Sequence, residues 1–334
     1  MTKTPARLMM AASLCLYCPL ASANDTESAI GLGGLVLLQN DTISMDSEEL
    51  FISQDKIRVT YHFTNPSSED VTVLVSFPLP ASNAETEWLD GPTGPADWKS
   101  LEFSTRVDGQ DAPLRYTENI MLNGQEISAR LTELGWPKDV WEEDAMQAII
   151  STFSPEERQA YIAEGLLKQV SDASDILVPA WSVEGFISRE QVFPAGKTVL
   201  VEHSYTPLNG GSVGGNLNAS MRTEEYGWKE YRDAYCINES FLRGFDKKQA
   251  QAGESRNSYL ELWIDYVLSS GANWKGPIKD FRLVVDKGSP ENMTSFCMDG
   301  VKKISPTQFE VRKTNYEPGH DLQVLIVQWP QAEG

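Results

Sequence analysis

Histidine is scarce in this sequence: 334 residues contain three, His62, His203 and His320. No HExxH, no pair of histidines at ligand spacing and no CxxC occurs. A catalytic zinc would therefore need three ligands gathered from distant loops. No EF-hand pattern is present either. Cysteine is almost as rare, with four. Beyond the N-terminal segment no apolar run reaches 18 residues, so no membrane anchor is expected. Positive charge is in deficit. The chain has 28 Lys and Arg against 48 Asp and Glu, a formal charge of −20. Such a surface repels nucleic acid and anionic lipid. Repeats and low-complexity tracts are absent.

What is present is a composition able to fold. Hydrophobic residues make up 41% and aromatics 10%, which excludes a disordered chain. The length suits two domains of roughly 150 residues or one large β-rich domain.

The first 23 residues read as a secretory leader. Lys3 and Arg7 form a basic start, Leu8 to Leu20 an apolar run, and Ala21-Ser22-Ala23 a small-x-small cleavage site. Cleavage after Ala23 predicts a periplasmic or secreted protein of 311 residues with a charge of −22. Cys15 and Cys18 leave with the leader. Neither follows the small residues that a lipoprotein signal requires. Cys236 and Cys297 remain, and in an oxidising compartment two cysteines predict one disulfide. The alternative is a reactive thiol or half a metal site. Closing a loop of about 60 residues would contribute roughly 4 kcal/mol in the chain-entropy description.

Residues 56–64 alternate, with Ile57, Val59, Tyr61 and Phe63 on one face and Arg58, Thr60 and His62 on the other. This is a half-buried strand. After the turn-rich residues 65–70, Val71, Val73, Val75 and Phe77 repeat the pattern, predicting a hairpin. A second hairpin is expected from Leu101–Val107, a turn at Asp108-Gly109-Gln110, and Leu114–Tyr116. The period then changes. Asn123 with Glu126 reads as a capping box for a helix ended by Gly135. A second helix follows from about Asp139, through Met146, Ile149, Ile150 and Phe153. Ser154-Pro155-Glu156-Glu157 starts a third, which carries Ile162, Leu166 and Val170. Strands resume at Ile176–Val183, where Pro179 demands an edge or a break, and at Lys197–Tyr205. A glycine-rich loop at 209–215 and an aromatic stretch from Tyr226 to Phe245 come next. The last part is again β: Tyr259–Leu268, Phe281–Asp286, Gln308–Lys313 and Leu322–Gln328.

Four stretches then carry a family resemblance: GGLVLLQNDTISMDSEELFIS (33–53), VTVLVSFPLP (71–80), QVFPAGKTVLVEHSYTPLNGG (191–211) and YVLSSGANWKGPIKDFRLVVDKG (266–288), with SFC at 295–297. In this order they resemble the secreted bacterial family known as domain of unknown function 4424, over nearly all of residues 24–334. The resemblance implies an exported bacterial protein with one such domain. That family brings no established catalytic residues, so none is carried over.

Candidate chemistry is thin. His62 belongs to the polar face of its strand. His203 is in phase with Val199, Val201 and Tyr205, so it faces inward as a core histidine or, alternatively, as a base. His320 lies in a turn. Gly210-Gly211-Ser212-Val213-Gly214 matches the nucleophile-elbow spacing, but no helix former follows. A hairpin loop using glycines for positive φ explains the run, with Ser212 kept as a weak catalytic candidate. The motif GLGG at 31–34 lacks the third glycine of a dinucleotide loop. Trp136, Trp141 with Glu142-Glu143-Asp144, and Trp228 with Glu230 could form an acid–aromatic sugar site. Consecutive acids also suit a solvated helix start. Trp228, Tyr231 and Trp274 are candidate binding aromatics, or they pack beside the disulfide.

The expectation is an α+β, β-rich protein of antiparallel β-sandwich type with a helical insertion at about 123–175. The sandwich is assigned to residues 24–122 plus 176–215, and a C-terminal β region with the disulfide to 216–334. The expected function is a non-enzymatic periplasmic binding or scaffold protein with an unknown envelope protein or ligand as partner. Alternatives are a hydrolase of envelope glycan or ester, and a structural assembly component. No cofactor and no metal are expected; Ca²⁺ or Mg²⁺ would only screen the charge.

Overall fold

The computed structural model describes residues 26–31, 34–38, 40–79, 81–83, 101–138, 143–170, 175–252 and 259–329. The leader, Trp141 and Glu142 lie outside the described residues. The chain is a β-rich α+β protein, as the alternating stretches predict.

The largest sheet has eight strands. In spatial order they are β19 (Lys302–Lys303), β20 (Gln308–Tyr316), β17 (Ile278–Asp286), β3 (Ser44–Ser53), β4 (Ile57–Thr64), β14 (Thr198–Tyr205), β7 (Ser104–Val107) and β8 (Gln110–Asp111). Neighbours are antiparallel except β17 and β3, which run parallel. β4 shows why this sequence makes a sheet: Ile57, Val59, Tyr61 and Phe63 are buried, while Arg58 and His62 are exposed. A period of two gives each strand one face to the core and one to water. A bulge in β3 leaves Asp46 unpaired between Met45↔Phe63 and Ser47↔His62. The extra residue puts Met45 and Glu48 on the inner face with Leu50 and Ile52.

A seven-stranded sheet covers part of that inner face. It contains β10 (Gln125–Glu126), β9 (Arg115–Leu122), β13 (Ser182–Phe193), β5 (Val71–Pro78), β1 (Thr26–Gly31) and β2 (Gly34–Leu38), with β6 (Ser82–Asn83) also on β13. The expected hairpin of residues 56–78 is corrected here. β4 and β5 join different sheets, and each pairs with a strand far along the chain: β4 with β14, β5 with β13. Two arches therefore cross between the sheets side by side, one at residues 65–70 and one at 194–197. Buried Asn65 ties them: its amide donates to the carbonyls of Glu69 and Phe193, both at 2.8 Å. Its backbone N–H bonds Lys197 O. The second expected hairpin survives only as β7–β8, closed at Asp108-Gly109. Residues from Arg115 onward cross into the seven-stranded sheet.

The four-stranded sheet is β15 (Asn209–Val213), β16 (Leu260–Tyr266), β21 (Leu322–Gln328) and β18 (Met293–Phe296). Ile264, Tyr266, Val324 and Ile326 join the main core, where residues of all three sheets meet. On the opposite face Tyr259, Leu325 and Val327 pack with Trp228, Tyr235 and Phe245. These come from and beside α4 (Trp228–Ala234) and α5 (Glu239–Ala252). Burial on both faces explains the unbroken apolar run of β21.

The helical insertion consists of α1 (Ser128–Leu134), α2 (Glu143–Ser151) and α3 (Pro155–Glu164). Asn123 does not cap a helix. Asn123 and Gly124 have φ of 50° and 78° and form the turn between β9 and β10. An Asn-Gly pair favours that left-handed turn. Glu126 still serves the helix start, accepting from Ser128 N at 2.9 Å. The capping box at Ser154 and Glu157 forms as read. The third helix stops at Gly165 in the left-handed region, and Leu167–Gln169 (β11) instead pairs with Leu177–Pro179 (β12). Trp136, Trp181, Leu131 and Met146 build a core of their own under these helices.

Candidate functional site

The residues singled out by sequence are dispersed by the fold. His203 is 3% exposed in β14, and its Nδ1 shares a hydrogen bond with Thr105 Oγ1 at 2.7 Å. Its ring sits among Tyr61, Phe77 and Phe103 in the main core. Ser212 belongs to β15 of the four-stranded sheet, opposite Glu261, so it is a strand residue. Gly210 and Gly211 are strand glycines, whereas Gly214 has a φ of 66° as the turn reading expects. A Cβ at Gly211 would lie 2.8 Å from Glu261 O, so close strand approach demands glycine there. His62 is exposed and bonds Ser47 Oγ at 2.8 Å; His320 is exposed in its turn.

Two of the three aromatic candidates are buried. Trp274 is 1% exposed and packs against Phe63 and Phe193 in the main core. Trp228 is buried and stacks on Tyr231 with ring centroids 6.2 Å apart. Neither forms an exposed patch with Tyr226, which is 49% exposed. Trp136 is buried beside Trp181 and Tyr161, so it offers no sugar platform. Cys236 and Cys297 are joined in a disulfide. Among the described residues no group of three or more His, Cys, Asp or Glu could hold a metal ion.

Two buried carboxylates escaped the sequence reading. Glu261 is fully buried on β16. It accepts from Asn216 N at 3.1 Å, Leu217 N at 2.8 Å and Tyr231 Oη at 2.6 Å. Tyr231 Oη in turn accepts from Trp263 Nε1 at 3.1 Å. One carboxylate thus pins the loop after β15 and the helix α4 to the sheet. Burial pushes the Glu261 carboxyl up, and these donors pull against it. The sequence signal was an acid sharing one strand face with Tyr259 and Trp263. Glu48 is also fully buried; Tyr266 Oη lies 3.4 Å from its Oε1 and 3.1 Å from Tyr61 Oη. This network joins the eight- and four-stranded sheets through their inner faces.

The open site lies on the other side of the eight-stranded sheet. Strand register lays one row across it: Arg312, Arg282, Glu49, Thr60, Glu202, Arg106 and Asp111. A second row holds Glu310, Val284, Phe51, Arg58, Ser204 and Ser104. Between them is a hollow of about 450 Å³ bearing Arg58, Arg106, Arg282, Glu49 and Glu202. Arg282 is anchored, with Nε 2.8 Å from Glu310 Oε1 and Nη1 3.4 Å from Glu49 Oε2. The Arg282 and Arg312 guanidiniums hold the Glu310 carboxyl below its usual range. Arg106 Nη2 donates to Gly109 O at 2.6 Å. Arg58 lies over the Phe51 ring at 4.7 Å, with its guanidinium on an exposed side chain. The hollow therefore carries three arginines and two glutamates in a chain of charge −20.

Sheets layered around a shared core, with an open polar face on the eight-stranded sheet, define a β-rich α+β class. The chain belongs to the family described as Domain of unknown function (DUF4424), whose pattern matches residues 23–325. No curated protein matches it in sequence. Among solved structures it is similar to a Legionella pneumophila protein provisionally described as nutrient binding. The two are 13% identical with a TM-score of 0.44, over 92% of this chain and 71% of that one. It is also similar to an M1 zinc metallopeptidase from Deinococcus radiodurans: 11% identity and a TM-score of 0.23, over 86% of this chain and 43% of that one. Likeness of this degree carries no argument about function. No helix among the described residues is long and apolar enough to cross a membrane.

Proposed function

We propose that this chain is an exported, non-catalytic binding protein of the bacterial envelope, and that its ligand seats in the groove on the outer face of the eight-stranded sheet. The observation that carries this reading is a hollow of about 450 Å³ on an acidic protein that gathers three guanidiniums, among them the exposed Arg58. That volume falls in the range of small-molecule sites. Arginine's planar fork suits a carboxylate or phosphate. Thr60, Ser104 and Ser204 add hydroxyls. The ligand class is therefore a small polar molecule with one anionic group and several hydroxyl or amino groups. Export rests on the leader read at residues 1–23.

The test is calorimetric titration of the mature chain with a panel of sugar phosphates, uronic acids and amino acids. Binding of one class is expected, weakened at least tenfold by Arg58→Ala or Arg106→Ala. A panel without binding, or binding indifferent to both substitutions, would overturn the groove. A reporter active only outside the cytoplasm, fused after Ala23, tests export on its own.

A further inference from the structure

A second hollow lies far from the groove in character. It holds about 600 Å³ between an edge of the eight-stranded sheet and an edge of the four-stranded sheet. Its walls include Phe296, Met298, Val301, Phe309 and Tyr316, and the disulfide closes one side. Val301 and Ile304 are 39% and 45% exposed, although both are large and apolar.

The neighbouring sheet edge is open. β19 pairs with β20 only at Phe309 and Glu310, and among the described residues no strand pairs with Val311–Tyr316 on that side. The direction of the open groups can be read from the turn. Ile304 N bonds Gln308 O, so the backbone of Gln308 faces outward. Strand alternation then turns the backbone groups of Arg312 and Thr314 outward as well. Val311 to Thr314, before the left-handed Asn315 (φ 50°), offer an extended edge of roughly 13 Å.

Charge selects the occupant. Residues 299–319 carry Lys302, Lys303, Arg312 and Lys313 against Asp299, Glu310 and Glu317, a net excess of one positive charge in a chain of −20. Edge lysines and arginines commonly repel unwanted strands. Here they repel basic strands and attract acidic ones. An open edge beside an apolar cleft is the geometry of strand addition, where main-chain bonds give affinity and alternate side chains give choice.

We propose that the free edge of β20 and the cleft beside it take an extended segment of a partner protein in which acidic and apolar residues alternate. Backbone groups of the segment pair with Arg312 and Thr314. Its apolar side chains enter the cleft beside Phe309 and Val301, and its acids, on the opposite face, meet Arg312.

The test uses the full mature chain and a fluorescent ten-residue peptide of alternating Val and Glu, followed by anisotropy. Saturable binding is expected, at least tenfold weaker when Lys replaces Glu in the peptide. Thr314→Pro removes an outward N–H that no strand uses, a change that sheet edges tolerate, and should weaken binding at least tenfold. Thr314→Ala keeps the N–H and should bind within twofold of the parent. If Thr314→Pro fails to fold, Arg312→Glu decides, with the same tenfold loss expected. No binding of the acidic peptide, equal binding of the Lys peptide, or indifference to both edge substitutions would overturn the proposal.

Discussion

The two faces of the eight-stranded sheet are made from the same strands and do opposite work. Along β4, Tyr61 and Phe63 enter the core while Arg58 and Thr60 look into the groove. The inner face holds Phe281, Leu283, Tyr61 and His203 under 4% exposed. The outer face carries a ladder of ions and hydroxyls. Successive residues therefore divide stability from recognition, and single substitutions should separate the two.

The largest expected effect is on the inner face. Phe281 is fully buried, with its ring tilted against Tyr316 at a centroid distance of 4.8 Å. Phe281→Ala should cost about 3–5 kcal/mol in urea unfolding, with groove binding intact in the folded fraction. Loss of binding at full folding would break the division. Tyr266→Phe should cost less, about 1–3 kcal/mol, because Glu48 and Tyr61 lose a buried hydroxyl partner. Unchanged stability would show that the network contributes nothing.

The smallest effect belongs to the outer face. Asp46 accepts from Lys279 Nζ at 2.5 Å and Thr64 Oγ1 at 2.6 Å. Burial pushes its carboxyl up, but these bonds with that from Ser44 outweigh it, and the net shift is downward. A lowered folded value means that the stability from this group is present above the ordinary carboxylate range. It is lost as pH falls through the lowered value. Asp46→Asn should cost about 0–1 kcal/mol near neutrality and flatten the acid limb of the stability curve. An acid limb that keeps its slope would remove Asp46 from the account.

Much of this was legible from periodicity. Alternation in residues 56–64 named the buried face, and phase placed His203 inside. Ser154 and Glu157 marked a real helix start. Partners were not legible, because a period of two tells a residue's face and not the neighbour of its strand. Hence residues 57–78 read as a hairpin, although β4 and β5 lie in different sheets. Asn123-Gly124 carried two local meanings, and the turn prevailed because Gln125 and Glu126 could pair back on Met121 and Leu122. The groove was invisible for a different reason. Its charges come from strands spread between Glu49 and Arg282, and only register brings them into one row.

The parallel pairing of β3 with β17 sets an order of events. Ser47 sits opposite Asp280 at the centre of the sheet, so β3 waits for more than two-thirds of the chain before its neighbour exists. At synthesis rates of about 5–20 residues per second, that wait is on the order of ten to fifty seconds. During it one side of β3 is exposed backbone, and loop closure across such a distance is slow. A chain still leaving the ribosome thus has no finished main core, although every residue of the separate core under α1–α3 lies before residue 184 and is already made. The same topology that makes the folded sheet continuous keeps the main core open until nearly its last strands are made.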